Sequence, residues 1–299
     1  MVELKLGLIG LDTSHSKVFS KILNDSNDPN HISGGRVIAA FPGGSPDFKA
    51  SATRVDGYTA DLRDGLGVHI AESPEEVAMS CDAILLTSVD GRVHLEQFAK
   101  IAPYGKPVFI DKPLAISLKE AQTIAHIAEL HGIPWMSGSV RRYADALNAA
   151  LNRENNSNIT GVDCYGPIEF TPTQPGYYWY GIHLVDVLYR ILGTGCRSVT
   201  AFSENGHETV TAVWKDGRIG TLRGNLHNGT HGTLIHREKV SEYVDTAADG
   251  LRKYANLLQD ILHMFRTGEP RIIPHETLEI IRFIEAVNES RDSGKTVSL

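Results

Sequence analysis

Three short stretches carry side chains able to do chemistry. Asp111-Lys112-Pro113 follows directly on the apolar run 107–110, so a carboxylate and an ammonium stand side by side where a strand should end. Ligands of open α/β sheets bind beyond the carboxyl ends of strands, which is where Lys112 falls, and Pro113 keeps it out of helical geometry. The plainer alternative is a surface lysine ahead of a helix. His183 and Asp186 are spaced i, i+3 in a helix-period segment. They share a helix face, which lets the carboxylate orient the imidazole; the alternative is a helix-start histidine beside a solvated aspartate. The third stretch is Gly7-Leu8-Ile9-Gly10-Leu11-Asp12-Thr13-Ser14-His15, where a strand gives way to a helix. Backbone N–H groups at such a helix start can hold a pyrophosphate.

That third stretch departs from G-x-G-x-x-G. Gly10 fills the first position, but Asp12 and His15 fill the second and third. A carboxylate about 4 Å from a phosphate charge costs about 4 kcal/mol at an effective dielectric of 20. Asp12 must therefore turn away or cap the helix, and a capping carboxylate occupies the N–H groups a phosphate would use. The hydroxyls of Thr13 and Ser14 offer other phosphate contacts, and an ordinary N-cap run is the competing reading. The acid that meets a ribose 2′-hydroxyl should close the second strand. Phe41 is followed instead by Pro42-Gly43-Gly44-Ser45, with no acid before Asp47 and no Arg or Lys in the turn. NAD and NADP are therefore not distinguished.

The elements that must position these residues change character along the chain. Strand patterns at 2–9, 36–41, 68–70, 83–87 and 107–110 alternate with helical patterns through 18–23, from 73 onward, and at 92–101 and 117–131. Ser73-Pro74-Glu75-Glu76 and Ser117 with Glu120 are helix-start signatures, and Gly132 is a stop. Such alternation predicts a Rossmann-type doubly wound parallel sheet. After about residue 138 a helix (143–151), a strand (162–165) and a helix (176–192) lead into consecutive strands at 198–202, 209–214, 220–226 and 233–240, with Asp216-Gly217 and Asn228-Gly229 as hairpin turns. Two amphipathic helices follow. The prediction is residues 1–137 as a dinucleotide-binding α/β domain, and 138–299 as an α+β domain with an open antiparallel sheet for substrate and oligomer contacts.

Composition agrees with that division. A length of 299 residues and 41% hydrophobic content give two folded domains as the prior, with a single barrel as the alternative. A net charge of −7 without a basic run disfavours nucleic acid. Cys81, Cys164 and Cys196 are widely spaced with no C-x-x-C, which argues for reduced thiols in a cytoplasmic protein. No leader is visible at the start and no apolar run is long enough to span a membrane. His227, His231 and His236 do not converge if Asn228-Gly229 forms a two-residue hairpin, because His236 then lies about 20 Å along the strand. A site of His15, His94 and His183 is a minor alternative, and no metal is expected.

In order along the chain, these features resemble the Gfo/Idh/MocA family of oxidoreductases. The matching stretches are the acid-Lys-Pro motif at Asp111-Lys112-Pro113, Cys81-Asp82-Ala83-Ile84 with Thr87 and His94, Arg142-Tyr143, and Gly181-Ile182-His183-Leu184-Val185-Asp186. The resemblance implies an NAD(P)-dependent oxidoreductase that moves hydride to or from a hydroxyl-bearing carbon of a sugar, polyol or similar molecule. It implies Lys112, His183 and Asp186 as catalytic residues, with the proton exchanged at His183 and the alkoxide stabilised by Lys112. Gly10, Asp12, Thr13, Ser14, His15, Thr87, Ser88, His94, Asp111 and Lys112 would hold the cofactor. Arg142, Tyr143, Trp179 and His183 would meet substrate, and the second domain would form a homo-oligomer. Many members carry Asp four residues before the histidine, where Trp179 stands here within Tyr177-Tyr178-Trp179-Tyr180. This aromatic run suits either sugar stacking or a core. Asp12 and Trp179 leave two alternatives open: a non-redox binding or sensory module, and a lyase or hydrolase assisted by tightly bound NAD.

Overall fold

A computed structural model describes residues 2–153, 157–226, 229–248 and 250–299, which fall into two compact units. The first comprises residues 1–138 and 254–277, the second 139–253 and 278–299.

In the first unit, strands β1 (Leu4–Ile9), β2 (Gly35–Phe41), β3 (His69–Ile70), β4 (Ala83–Leu86), β5 (Val108–Asp111) and β6 (Trp135–Gly138) lie in the order β3-β2-β1-β4-β5-β6. Every pairing is parallel. This is the doubly wound order whose switch point lies between β1 and β4. β4 and β5 are buried along their whole length, as a sheet covered on both faces requires. The helices α1 (Ser14–Asn24), α4 (Pro74–Ser80), α5 (His94–Ile101) and α6 (Leu118–His131) are the crossovers, while α2 (Lys49–Ala52), α3 (Val55–Ala60) and a π-turn (Asp61–Gly65) fill the connection from β2 to β3. The predicted caps form: Ser73 Oγ accepts the Glu76 N–H at 3.1 Å, Ser117 Oγ accepts that of Glu120 at 3.2 Å, and Gly132 ends α6 at φ 62°.

Residues 254–277 return to this unit, although the sequence pattern groups them with the second half. The reason is the apolar stripe of α9 (Arg252–Thr267). Leu257, Leu258, Ile261 and Leu262 are buried, and Leu262 packs where a Cβ on Gly35 would approach its Cδ2 to 2.8 Å. The Tyr254 ring lies 5.3 Å from that of His15, and Arg266 donates to the Gly34 carbonyl at 2.7 Å.

The second unit holds a seven-stranded sheet: β7 (Ile159–Pro167), β8 (Cys196–Glu204), β9 (His207–Trp214), β10 (Ile219–Asn225), β11 (Gly232–Arg237), β12 (Ser241–Asp245) and β13 (Val297–Ser298), in the order β12-β11-β7-β10-β9-β8-β13. Two expectations change. The sheet is mixed, because β7 runs parallel to β10, and β7 separates β10 from β11, so these two strands do not form a hairpin. Periodicity identifies strands but not their spatial neighbours, and β7 enters from far upstream. His227 and Asn228 lie outside the described residues, as do Asn155 and Asn156. The Asp216-Gly217 turn does join β9 to β10, with Gly217 at φ 90°. One face of the sheet packs on α8 (Gly181–Leu192) and on α10 (Pro274–Ser293), with Trp214, Tyr189 and Phe283 in ring contact. The other face carries the exposed side chains of Phe202, Ile219 and Tyr243. Among the described residues, no helix is long and apolar enough to cross a membrane.

Candidate active site

The turn after β1 is shaped by two residues that local sequence cannot explain. Gly10 sits at φ 92°, and a Cβ there would fall 2.3 Å from the Ser88 amide nitrogen, so only glycine fits. Asp12 is fully buried and turned away from the helix start. Its Oδ2 accepts from the Ser51 hydroxyl at 2.6 Å, and its Oδ1 accepts the Val89 N–H at 2.9 Å. Burial pushes its carboxyl up, partly offset by those two hydrogen bonds. Asp12 thus ties α2 and the loop after β4 to the turn, and the cap of α1 is Thr13, whose Oγ1 accepts the His15 N–H at 3.4 Å. Ser14 stands exposed at the helix start. The carboxylate that clashes with a pyrophosphate on paper is spent on the protein's own loops.

His15 also points inward. Its Nδ1 lies 2.8 Å from Asp111 Oδ2 at the end of β5, and both side chains are buried. Burial alone would raise the Asp111 carboxyl, but His15 and the adjoining Lys112 outweigh it and hold the group below the usual range. The Lys112 N–H donates to Asp111 Oδ1 at 2.8 Å, and the Lys112–Pro113 peptide is cis. Burial lowers the affinity of the Lys112 ammonium for its proton, Asp111 opposes this, and Arg54 adds to it; the net direction is down. The remaining predicted cofactor residues brace this edge. Thr87 Oγ1 donates to the Gly10 carbonyl at 2.8 Å, and Ser88 Oγ donates to Gln97 at 2.7 Å. The fully buried ring of His94 stands between the carbonyls of Ser88 at 2.8 Å and Pro113 at 3.0 Å. The first unit therefore gathers Gly10, Asp12, His15, Thr87, Ser88, His94, Asp111 and Lys112 at the carboxyl edge of its sheet.

The second unit builds a cluster of its own around α8. Asp186, 1% exposed, pairs with Arg142 at 2.5 Å and accepts a hydrogen bond from the Ser139 N–H. The Ser139 hydroxyl lies 2.6 Å from His183 Nδ1. Asp186, expected to orient the imidazole, and Arg142, expected to meet substrate, form a buried ion pair, and Ser139 lies against the ring. One local signal marks Ser139, its place as the N-cap of the 3₁₀ turn Val140–Tyr143. Tyr143 is buried. Of the aromatic run, Tyr177 and Tyr178 are core residues and Trp179 is 8% exposed, while Tyr180 packs edge-on to the His183 ring at 6.0 Å.

A parallel sheet in this order, with a glycine-turned helix start at its switch point, defines the Rossmann dinucleotide-binding class. Residues 7–139 match the model of the GFO_IDH_MocA family, an oxidoreductase family with an NAD-binding Rossmann fold, and so carry the resemblance read from the sequence. An uncharacterized oxidoreductase of Streptococcus pneumoniae is 23% identical over 163 residues, 49% of this chain and 44% of that protein. A myo-inositol dehydrogenase of Streptomyces leeuwenhoekii is 36% identical over 69 residues, 23% of this chain and 21% of its own. The chain thus spans less than half the length of these curated relatives. Among solved structures, apo scyllo-inositol dehydrogenase from Lactobacillus casei superposes with TM-score 0.81 at 16% identity, covering 99% of this chain and 98% of its own. Myo-inositol 2-dehydrogenase from Lactobacillus plantarum gives 0.79 at 17%, with complete coverage of both. The shared fold thus extends through the mixed sheet.

Proposed function

We propose that the protein is an NAD(P)-dependent dehydrogenase acting on a hydroxyl-bearing carbon of a polyol, sugar or related small molecule. The observation that carries this reading is the buried Asp111-Lys112 pair at the carboxyl end of β5, within a segment that matches an NAD-binding oxidoreductase family. The chain's own residues fit a dinucleotide. Gly10 leaves the turn without a side chain, the Asp12 charge is directed into the loops, and the start of α1 offers Thr13 and Ser14. Once bound, the nicotinamide supplies the hydride acceptor or donor. Lys112 stabilises negative charge growing on the reacting oxygen, a role suited to a desolvated ammonium. His183 exchanges the hydroxyl proton. The turned-away Asp12 removes one of the grounds for a non-redox module, while His15 and the missing acid after β2 remain.

Two finer readings belong to the same proposal. The three cysteines are buried free thiols, which suits a cytoplasmic protein. The open sheet face carries Phe202, Tyr243 and Ile219 at 66%, 56% and 48% exposure, which supports a homo-oligomer through that face. Thermal unfolding with NAD and with NADP tests the main reading. Either nucleotide at a hundred times its Kd should add about 2.7 kcal/mol, and no shift with both would overturn it. Light scattering of Phe202→Asp, expected to shift the protein toward monomer, tests the oligomer.

A further inference from the structure

His231 is a buried base that takes no part in the proton and hydride transfer assigned to Lys112 and His183. It lies immediately ahead of β11 and is 4% exposed. Among the described residues its ring makes no hydrogen bond. Glycine at position 166 leaves the ring its place, since a Cβ there would stand 2.6 Å from His231 Nδ1 and 2.9 Å from Leu184 Cδ2. The imidazole thus rests on β7 beside Leu184, the residue that follows His183 on α8. Folded proteins give nearly every buried polar group a partner, and one without a partner in its own chain points to something the chain binds.

Two cations flank this ring. Arg141 Nη1 donates to the Thr246 carbonyl at 3.2 Å. Thr246 follows Asp245, which pairs with Gly232 across β12 and β11, so the guanidinium stands at the strand ends next to His231. Lys253 is 6% exposed and donates to the Gly250 carbonyl at 2.8 Å. After burial itself, the charges of Arg141 and Lys253 hold the His231 ring down at about 4, against a smaller pull from Asp245. The Asp245 carboxylate accepts the Ala247 N–H at 2.7 Å. The Arg141 N–H donates to Ser139 Oγ at 3.1 Å, and that oxygen lies 2.6 Å from His183 Nδ1. One residue therefore joins the basic group to His183.

We propose that Arg141, Lys253 and the neutral ring of His231 hold an oxyanion, and that the substrate is an anionic polyol or sugar bearing a carboxylate or phosphate. Guanidinium and ammonium groups make their strongest hydrogen bonds to such oxygens, and a neutral imidazole adds one N–H donor. The substrate clause rests on the dehydrogenase reading; the anion site does not. Inorganic phosphate and acetate are titrated separately into the full-length chain at pH 7, and the Hε1 signal of His231, assigned with His231→Gln, is followed by NMR. At least one of them should move it saturably, phosphate marking a phosphorylated substrate and acetate a carboxylate. Arg141→Gln should weaken that binding at least tenfold. No saturable movement with either ion in the wild type, or one that sodium chloride of equal ionic strength reproduces, would overturn the site. Glucose 6-phosphate and glucuronate, each compared with glucose, test the substrate clause: the favoured anion should bind at least tenfold tighter, and equal or weaker binding of both would overturn it. Oxyanion binding in a chain that binds neither NAD nor NADP would support the site and remove the dehydrogenase reading. Nucleotide binding without oxyanion binding would do the reverse.

Discussion

Each unit buries a carboxylate behind a reactive side chain, and the two do it with different counter-charges. In the first unit Asp111 adjoins Lys112 in sequence and faces His15 at 2.8 Å, and an amine, unlike a guanidinium, can give up its proton. In the second, Asp186 faces Arg142, which cannot, and reaches His183 through the Ser139 hydroxyl. The difference teaches that a buried anion can tune an adjoining amine directly, or hold a scaffold that sets a histidine at one remove. The first arrangement adapts when charge is lost. The second does not.

Removing each anion is the sharpest way to break that contrast. Asp186→Leu leaves a permanently charged, buried guanidinium and should cost about 4 kcal/mol in urea unfolding. His231 gives a reference for a buried base without a close anion. Burial, then Arg141 and Lys253, lower it to about 4, against the small opposing pull of Asp245. The unfolded ring, near 6.5, takes its proton first, so stability is full above pH 6.5 and falls as pH drops toward 4. The loss should approach about 3 kcal/mol, and His231→Gln should flatten it. Asp111→Leu should cost less than Asp186→Leu, about 2 kcal/mol, because Lys112 can discharge. In Asp111→Asn the Lys112 ammonium loses the group that supports it, so the alkaline limb of turnover should move to lower pH. Equal costs for the Asp111→Leu and Asp186→Leu variants would refute the comparison. Ser51→Ala removes one of two donors to Asp12 and should cost about 1 kcal/mol. Its nucleotide-binding shift should remain if Asp12 stays turned away through Val89.

Much of the first unit was legible because its signals are local. Ser73 and Ser117 cap helices three residues ahead, Gly132 stops one, and the run 83–87 is apolar because both of its faces are covered. The connection from β2 to β3 was not. Its helices are short and lack a continuous stripe, so periodicity passes over them. Ser139 escaped for another reason, since a serine after a strand has many uses and its partner lies 44 positions away.

Residue order by itself determined the alternation of strands and helices, the placement of Lys112 at a strand end and the i, i+3 sharing of a helix face by His183 and Asp186, because each depends on neighbours within a turn or two. It also determined that Gly10 would stand at the turn. What that turn can bind was decided elsewhere. Asp12 reads as an obstacle until Ser51, 39 residues on, and Val89, 77 residues on, take its two oxygens. The same holds for β7 slipping between β10 and β11, and for α9 returning to the first sheet. A buried polar group takes whichever partner the packed chain brings within 3 Å, and only the tertiary structure decides which one that is.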